Sequence, residues 1–411
     1  MKLVCCADLH LGRKSTLPED LKNKQDDFSS EKAWNRIIDI AIYEKADAIL
    51  VAGDVFDKNV YQFTSKKLLE ESLKKLKNKN IEVLMISGNH DSKLLESVVK
   101  NIKLSADYDF LKIIGCGCKW ESYDLKGLSI LGFGLDKNDY KKNPFNEKSL
   151  KKIELKDKYI LMLHGDYTSN EGKYAPFRES LSSDQVQNSI ITLIGHTHKY
   201  EDKDKYISLG SPQANDFGEK GPHGVLILDL DDNFNIETRE YRQISNIYYD
   251  QVDIKVEEDD ELSILLNKKL NTKAEAEMTY YRVNLVGRIS KEKHENIKVQ
   301  IEDLLGENNN GLISEKIYVD PDEFINNTLP DFDIDAMSKQ KNAIGVIAKK
   351  IKSIDEGKFI EEYNTDFENF KEKFSDYLKQ IKANDIEDKE LLYYIKNSFI
   401  KFLESEKTGE K

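Results

Sequence analysis

The chain has 411 residues, which at about 150 residues per domain predicts two or three domains. Its composition, 39% hydrophobic and 33% charged without an apolar run of transmembrane length, excludes wholesale disorder and a membrane span. Lys and Arg number 62 against 75 Asp and Glu, and the net charge of −13 argues against nucleic-acid binding through a broad positive field. No secretory signal is readable and the four cysteines form no disulfide framework, so we expect a cytoplasmic protein.

Up to about Tyr241, short aliphatic runs alternate with polar clusters and helical stretches. Continuous apolarity predicts strands that are covered on both faces, and the apolar spacing in Trp34–Ile42 and Lys66–Leu76 predicts helices. We therefore expect a layered α/β sandwich over residues 1–244. The predicted strands are Leu3–Ala7, Ala48–Ala52, Val83–Ser87, Ile130–Phe133, Tyr159–Leu163, Ile190–Ile194, Tyr206–Leu209 and Val225–Leu230.

The pattern changes after Tyr241. Alternating residues at 281–285 and the segment Lys316–Val319 predict strands, while Glu261–Leu270 and Ser290–Leu305 predict helices. We expect a small α+β capping domain over residues 245–320. The prolines in and near Pro321–Asp335 predict the start of a linker, which we place with a short helix at 321–358.

Residues 359–411 carry apolar side chains at three-four spacing, which predicts two amphipathic helices broken at Ala383–Asp388. The two stripes hold more aromatic rings than two short helices can bury against each other, so we expect another surface to cover them. That surface is either the catalytic domain or a partner protein, and we favour the partner. The stripes are Ile360, Tyr363, Phe367, Phe370, Phe374, Tyr377 and Ile381, then Leu392, Ile395, Phe399 and Phe402.

Five polar clusters each follow a predicted strand, at the edge where ligands bind in open α/β sheets. Alone, a strand-end Asp is more often a cap and a lone His more often a core group, but five clusters together predict a metal centre. Carboxylate, imidazole and amide donors without thiolate suit Mn²⁺, Fe²⁺ or Zn²⁺. We expect the glycines to let the backbone turn sharply. The clusters are Asp8-Leu9-His10, Gly53-Asp54, Gly88-Asn89-His90-Asp91, His164-Gly165-Asp166 and Gly195-His196-Thr197-His198.

In this order the clusters resemble those of the calcineurin-like metallophosphoesterases over about the first 240 residues. Three segments are similar to SbcD-type double-strand-break repair nucleases, of the meiotic-recombination nuclease subunit family: Ala7–Gly12, Gly53–Asp57 and the loop from Gly210-Ser211-Pro212 to Phe217-Gly218-Glu219. Tyr174–Phe177 is similar to a divergent SbcD-like exonuclease branch, which leaves the subgroup open. The resemblance implies a two-sheet β-sandwich flanked by helices, with the capping domain and a C-terminal helical hairpin.

The resemblance also implies how two divalent metal ions are held, with Mn²⁺ favoured. Asp54 would be the shared ligand, because one carboxylate can hold two ions about 3.5–4 Å apart. One ion would be held by Asp8, His10, Asp54 and His198, and the other by Asp54, Asn89, His164 and His196.

Other polar residues near the clusters have both a functional and a structural interpretation. His90, left without a metal, can stabilise or protonate the leaving group. Asp57, Asp91 and Asp166 can orient metal ligands, and Asp57 with Lys58 stands where some family members have a histidine. The remaining candidates are Arg13, Lys14, Lys173 and Arg178 as phosphate contacts or solvated cations, His223 as a substrate contact or turn residue, and Cys116 and Cys118 as small core residues.

The leading hypothesis is a metal-dependent DNA nuclease, with exonuclease and single-strand endonuclease activity on DNA ends and single strands. It is favoured because a small phosphate ester needs only the catalytic sandwich, whereas this chain continues well beyond it. The alternatives are a phosphomonoesterase or a cyclic-nucleotide phosphodiesterase, and a scaffold that only retains the fold. The resemblance implies a homodimer bound to an SbcC-type coiled-coil ATPase.

Overall fold

The computed structural model describes residues 1–57, 63–105, 108–136, 140–272, 276–306, 311–330, 334–380 and 388–408. The chain forms two compact units. Unit 1 comprises residues 1–251, 270–282 and 310–320, and unit 2 comprises residues 252–269, 283–309 and 321–411. Among the residues that the structure describes, no helix is both long enough and apolar enough to cross a membrane.

Sixteen strands and eleven α-helices are formed by the described residues, with four short 3₁₀ segments at Glu19–Phe28, Pro144–Asn146, Leu150–Lys152 and Arg178–Ser182. The strands are β1 (Lys2–Cys6), β2 (Ala48–Ala52), β3 (Glu82–Ile86), β4 (Leu111–Ile113), β5 (Trp120–Leu125), β6 (Leu128–Phe133), β7 (Tyr159–His164), β8 (Ile191–Gly195), β9 (Glu201–Asp202), β10 (Tyr206–Ser208), β11 (Gly224–Leu230), β12 (Ile236–Gln243), β13 (Ile247–Lys255), β14 (Met278–Ile289), β15 (Leu312–Ser314) and β16 (Ile317–Pro330). The helices are α1 (Ser30–Tyr43), α2 (Phe63–Lys77), α3 (Ser92–Ser105), α4 (Asp184–Gln187), α5 (Leu262–Lys269), α6 (Lys291–Leu305), α7 (Ile334–Ser338), α8 (Ala343–Asp355), α9 (Phe359–Glu362), α10 (Asn364–Gln380) and α11 (Asp388–Thr408).

Unit 1 contains two six-stranded sheets, with strand orders β12-β11-β1-β2-β3-β4 and β5-β6-β7-β8-β10-β9. Strands β1 to β4 run parallel in the first sheet, and β6, β7, β8 and β10 run parallel in the second. The carboxyl ends of neighbouring parallel strands therefore meet at one edge of each sheet, which is where the polar clusters lie.

Alternate residues of β1 explain why its sequence is apolar throughout. Leu3 and Cys5 pack in a core with Ile130 and Ile160 of the second sheet. Val4 and Cys6 point the other way and belong to the core that contains Trp34 of α1. All are fully buried, so both faces of the strand are covered as predicted. The predicted two-sheet sandwich with flanking helices is confirmed, and the predicted strands correspond to β1, β2, β3, β6, β7, β8, β10 and β11.

The prediction that a linker begins at Pro321 is wrong, because residues 321–330 belong to β16. Four strands form this third sheet, in the order β13-β14-β16-β15. Proline disfavours a strand because it cannot donate a ladder hydrogen bond. In the described residues, β15 pairs only with Ile317 and Tyr318 at the start of β16, so Pro321 lies beyond that pairing. Helices α5 and α6 lie where the sequence predicts them.

Residues 334–358 of the predicted linker are also structured, because α7 and α8 pack with the tail. Phe367 is 1% exposed in a core that includes Met337, Ala348 and Ile351 of these two helices. The expectation that a partner rather than the chain itself covers the stripes is therefore wrong in part. Ile360, Phe370, Tyr394 and Phe402 stay 37–45% exposed.

The first tail helix is interrupted at Tyr363, between α9 and α10, and the second begins at Asp388. The predicted break at 383–387, Ile381, and the side chains of Phe374 and Tyr377 lie outside the described residues.

Candidate metal centre

The loops that follow β1, β2, β7 and β8 are joined by main-chain hydrogen bonds. Asp8 N–H donates to Gly53 O (3.0 Å), His10 N–H to Asp54 O (2.9 Å), and Gly165 N–H to Gly195 O (3.2 Å). Positive φ angles occur at four of the predicted ligands: Asp8 (51°), His10 (46°), Asp54 (51°) and His196 (106°). Such strained backbone persists only where the surrounding structure imposes it, and it concentrates at functional sites.

The glycines of the clusters allow close approach more than sharp turning. Gly53 has a φ of 92° and does turn as predicted. At Gly88 the reason is space, because an added Cβ would lie 2.1 Å from Asp54 Oδ1. A Cβ at Gly195 would lie 2.0 Å from Ala52 O and 2.8 Å from His164 Nδ1. The lack of a side chain lets these loops close on the buried Asp54 and His164.

One group of potential ligands consists of Asp8, His10 and His198, whose donor atoms lie within 4.8 Å of one another. His10 Nε2 and His198 Nε2 face each other at 3.1 Å. His10 Nδ1 is buried and has no hydrogen-bond partner among the residues that the structure describes. Burial lowers the pKa of His10 to about 3, so the imidazole is neutral and Nε2 or Nδ1 offers a lone pair.

A second group consists of Asp8, Asp54 and His164. His164 Nδ1–H donates to Ala52 O (3.0 Å), which turns Nε2 toward Asn89 Oδ1 (3.0 Å) and Asp54 Oδ2 (3.3 Å). His196 Nδ1 lies 3.0 Å from the same Asn89 oxygen. All seven predicted ligands therefore lie in one cluster. Asp8 belongs to both groups, and Asp54 Oδ2 also lies 3.8 Å from His10 Nε2.

The electrostatics of the cluster fit a bound cation. Burial lowers the pKa of His164, but the adjacent Asp54 outweighs it and raises the pKa to about 9. Burial lowers the pKa of His198 as well, and its hydrogen bond to Glu219 and the charge of Asp8 raise it to about 9. Burial also raises the pKa of Asp8 and lowers that of His196, the latter to about 4. Buried carboxylates that hold protons on nearby imidazoles can hold a divalent cation instead.

His90 lies at the edge of the cluster. Its side chain is 35% exposed, its ring packs edge-on against His10 with a centroid distance of 4.8 Å, and its Nδ1 lies 3.9 Å from Asp57 Oδ2. Asp57 Oδ2 also lies 3.7 Å from His10 Nδ1 and 3.2 Å from Arg13 Nε. His10, Asp57 and His90 form a third potential metal-binding group. The geometry therefore permits His90 either to bind a metal ion or to act on the substrate as predicted.

Asp91 joins the loops that carry Asp54 and Asn89. Its carboxylate accepts hydrogen bonds from Val55 N–H (2.6 Å) and Gly88 N–H (2.8 Å). Burial and the charge of Asp54 raise the pKa of Asp91 to about 7. Asp166, by contrast, accepts hydrogen bonds from the main chain and hydroxyl of Thr168.

The predicted phosphate contacts already have neighbours. Lys14 pairs with Asp26, Arg178 donates to Thr168 O, and Lys173 lies over the ring of Tyr174. Cys118 is half-buried and donates to Asp136, and Cys116 is also half-buried.

Two residues next to the cluster had no predicted role. Glu219 accepts a hydrogen bond from His198 Nδ1, and the Tyr174 ring lies 5.0 Å from that of His196. Both residues belong to segments that resemble SbcD-type nucleases. The spacing of residues in the sequence does not predict, however, which side chains they contact. His223 is buried, with its ring nitrogens 2.9 Å from Ser211 O and Glu219 O, and so fits the structural interpretation.

A family model described as calcineurin-like phosphoesterase matches residues 1–228. The chain is 27% identical over 248 residues to the DNA double-strand break repair protein Mre11 of Sulfolobus acidocaldarius, covering 56% of this chain and 60% of that protein. It is 26% identical over 246 residues to the uncharacterized metallophosphoesterase YhaO of Bacillus subtilis, covering 56% and 57%. It is 35% identical over 97 residues to the SbcD component of the SbcCD nuclease of Staphylococcus saprophyticus, covering 23% of each. The chain thus matches less than two thirds of the length of these relatives.

Proposed function

Because the chain belongs to the calcineurin-like phosphoesterase family, we propose that it is a two-metal phosphodiesterase that cleaves DNA. The family resemblance is confirmed, and with it a metal-dependent hydrolase. The observation that carries the proposal is the convergence of five strand-end clusters on overlapping groups of carboxylates and imidazoles. DNA as the substrate is supported by the similarity to proteins named for double-strand break repair and for nuclease activity.

We assign the ligands as the resemblance implies. Asp8, His10, Asp54 and His198 would hold one ion, and Asp54, Asn89, His164 and His196 the other. When bound, two divalent ions activate water and stabilise the attacking and leaving oxygens of a phosphodiester. The protein contributes orientation: His164 Nδ1 is fixed by Ala52 O, so its Nε2 faces the cluster before any ion arrives.

His90 is proposed to act on the substrate and not on an ion. Its side chain is 35% exposed, and Asp57 Oδ2 lies 3.9 Å from Nδ1. An imidazole placed in this way can donate a proton to the leaving oxygen or stabilise the charge that develops on the phosphate. Asp57 would orient both His90 and His10, because one carboxylate oxygen lies within 4 Å of each ring.

The part of the chain beyond residue 228 supports a large substrate or a partner protein. The family match ends there, yet the chain continues with a third sheet and a helical bundle. We propose that the bundle binds an SbcC-type coiled-coil ATPase through apolar side chains that the tail keeps exposed, namely Ile360, Phe370, Tyr394 and Phe402. A partner that supplies positive charge would also offset the net charge of −13. The homodimer stays a prediction.

The decisive experiment is digestion of end-labelled duplex and single-stranded DNA with Mn²⁺, with and without a chelator. Aryl phosphate and bis-aryl phosphate are assayed in parallel. We expect chelator-sensitive DNA cleavage that exceeds hydrolysis of the monoester. Efficient monoester hydrolysis with no DNA cleavage would replace the nuclease by a phosphomonoesterase, and cleavage that persists in chelator would contradict metal dependence.

A further inference from the structure

We propose that Glu219 is a positioning residue that fixes the tautomer of His198 and so keeps Nε2 of this imidazole free to bind a metal ion. The inference rests on the proposed function, because it takes His198 as a ligand. The Glu219 side chain is 10% exposed, and its Oε1 lies 2.5 Å from His198 Nδ1. An ionised carboxylate only accepts hydrogen bonds, so Nδ1 carries the proton and the lone pair of a neutral ring is on Nε2.

The contacts of the second carboxylate oxygen, Oε2, show that this position requires a hydrogen-bond acceptor. Glu219 Oε2 accepts from Asn215 N–H (2.9 Å), from Asn215 Nδ2 (3.1 Å) and from Ser211 Oγ (3.4 Å). A main-chain N–H can only donate. The Asn215 amide also cannot be reversed without loss, because its Nδ2 faces Gln213 O (3.4 Å), which only accepts. The site therefore needs an acceptor at Oε2, and an ionised carboxylate provides it together with a second acceptor, Oε1, that faces His198 Nδ1.

The donors that face Oε2 are held by their own main-chain contacts. Thr16 N–H donates to Asn215 O (2.7 Å), and the Tyr249 hydroxyl lies 3.2 Å from the same oxygen. These contacts hold the carbonyl of Asn215. Ser15 Oγ donates to Ala214 O (2.6 Å), which belongs to the same peptide group as Asn215 N–H, so this N–H stays directed at Glu219. The orientation of His198 thus depends on the loop at 211–219, and not on the metal cluster alone.

This arrangement predicts that two substitutions of Glu219 weaken metal binding in an unusual order. In Glu219→Gln the amide oxygen satisfies Asn215, so the amide nitrogen faces His198 Nδ1. Nδ1 must then accept, the ring proton moves to Nε2, and the ligand atom is blocked. Glu219→Ala leaves either tautomer available to His198, so Ala should bind metal better than Gln, although Gln is nearly isosteric and disturbs the fold less.

The test is Mn²⁺ titration by calorimetry of the full-length wild type, Glu219→Gln and Glu219→Ala, with thermal unfolding in excess chelator as the second measurement. We expect the Ala variant to bind one ion about 10–100-fold more weakly, as for other lost partners of metal-binding His residues, and the Gln variant to bind it more weakly still. Thermal stability should follow the opposite order, with Gln above Ala.

Glu201→Gln is the matched control, because Glu201 accepts a hydrogen bond from Tyr167 and is placed in no metal-binding role. It should titrate like the wild type. A Gln variant that binds both ions as well as the wild type, or better than the Ala variant, would overturn the tautomer proposal and leave the proposed function standing. A wild type that binds fewer than two ions would instead overturn the ligand assignment on which both depend.

Discussion

The metal centre of unit 1 and the helical bundle of unit 2 are specified by the sequence in different ways. At the metal centre, charged and polar side chains are buried: Asp8, His10, Asp54 and His164 are at most 1% exposed. In the bundle the buried side chains are apolar, and rings such as Phe359 and Phe367 are covered to the same degree. The first region costs solvation energy that hydrogen bonds and cations must offset, whereas the second is stabilised by burial itself.

Because of this difference, loss of a side chain should have different consequences in the two regions. Loss of one ligand leaves other buried charges without compensation, so metal binding should fail as a whole. Loss of one apolar side chain in the bundle leaves a cavity whose cost is local. Substitutions in the two regions should therefore differ in what they remove, metal binding and catalysis in the first and local stability in the second.

Asp54→Ala should abolish binding of both ions and reduce DNA cleavage to background. Asp54 is the proposed shared ligand, and its carboxylate lies within 4 Å of both His10 and His164. Elemental analysis of the dialysed protein measures the ions and end-labelled DNA measures the activity, with the exposed Asp232→Ala as control. Two ions per chain in the Asp54→Ala protein would assign the bridge to Asp8, which belongs to both ligand groups.

His90→Asn should leave both ions bound but slow DNA cleavage by about 10²–10⁴, the range for a lost acid–base group. The physical reason is that His90 is partly exposed beside His10 and is proposed to contact substrate only. Single-turnover cleavage and metal content are measured on the same preparation. Loss of an ion would instead support the ligand group of His10, Asp57 and His90.

The predicted ligands lie together for a physical reason. Each cluster is a short motif after a strand, and parallel pairing brings its carboxyl end to the same edge as its neighbours. The role of Glu219 was not predicted, because Glu219 and His198 are 21 residues apart in the sequence and their contact depends on a loop without periodicity. The strand predicted at Lys316–Val319 is the start of β16, but its continuation to Pro330 was not predicted, because strand pairing is non-local whereas Pro321 is a local signal against a strand. Helical spacing identified the buried face of the tail, but it does not say which surface covers that face.

Phe367→Ala should destabilise the bundle by about 3–5 kcal/mol, the usual cost of deleting a buried aromatic ring. The matched control is Phe370→Ala, three residues along the same helix, where the ring is 37% exposed and a smaller loss of about 1 kcal/mol is expected from its edge-on contact with Phe399. Hydrogen exchange of α8 and α11 measures both. Equal destabilisation by the two substitutions would contradict the packing described for α10. Under the proposed partner role, only Phe370→Ala weakens ATPase co-purification without loosening the bundle.

Removal of the bundle should have the smallest effect on hydrolysis, and the structure decides where to cut. A cut after Gly357 would remove Phe359, Phe367 and Leu391 and leave the apolar faces of α7 and α8 without cover. A cut after Pro330 removes all five helices that share this core.

We expect the chain cut after Pro330 to retain metal content and Mn²⁺-dependent cleavage of short single strands, because every proposed ligand lies before residue 199. It should lose co-purification with the ATPase. The chain cut after Gly357 should lose co-purification too, but it should also aggregate as its exposed apolar faces associate. If the chain cut after Pro330 still bound the ATPase at full affinity, the docking surface would lie outside the bundle.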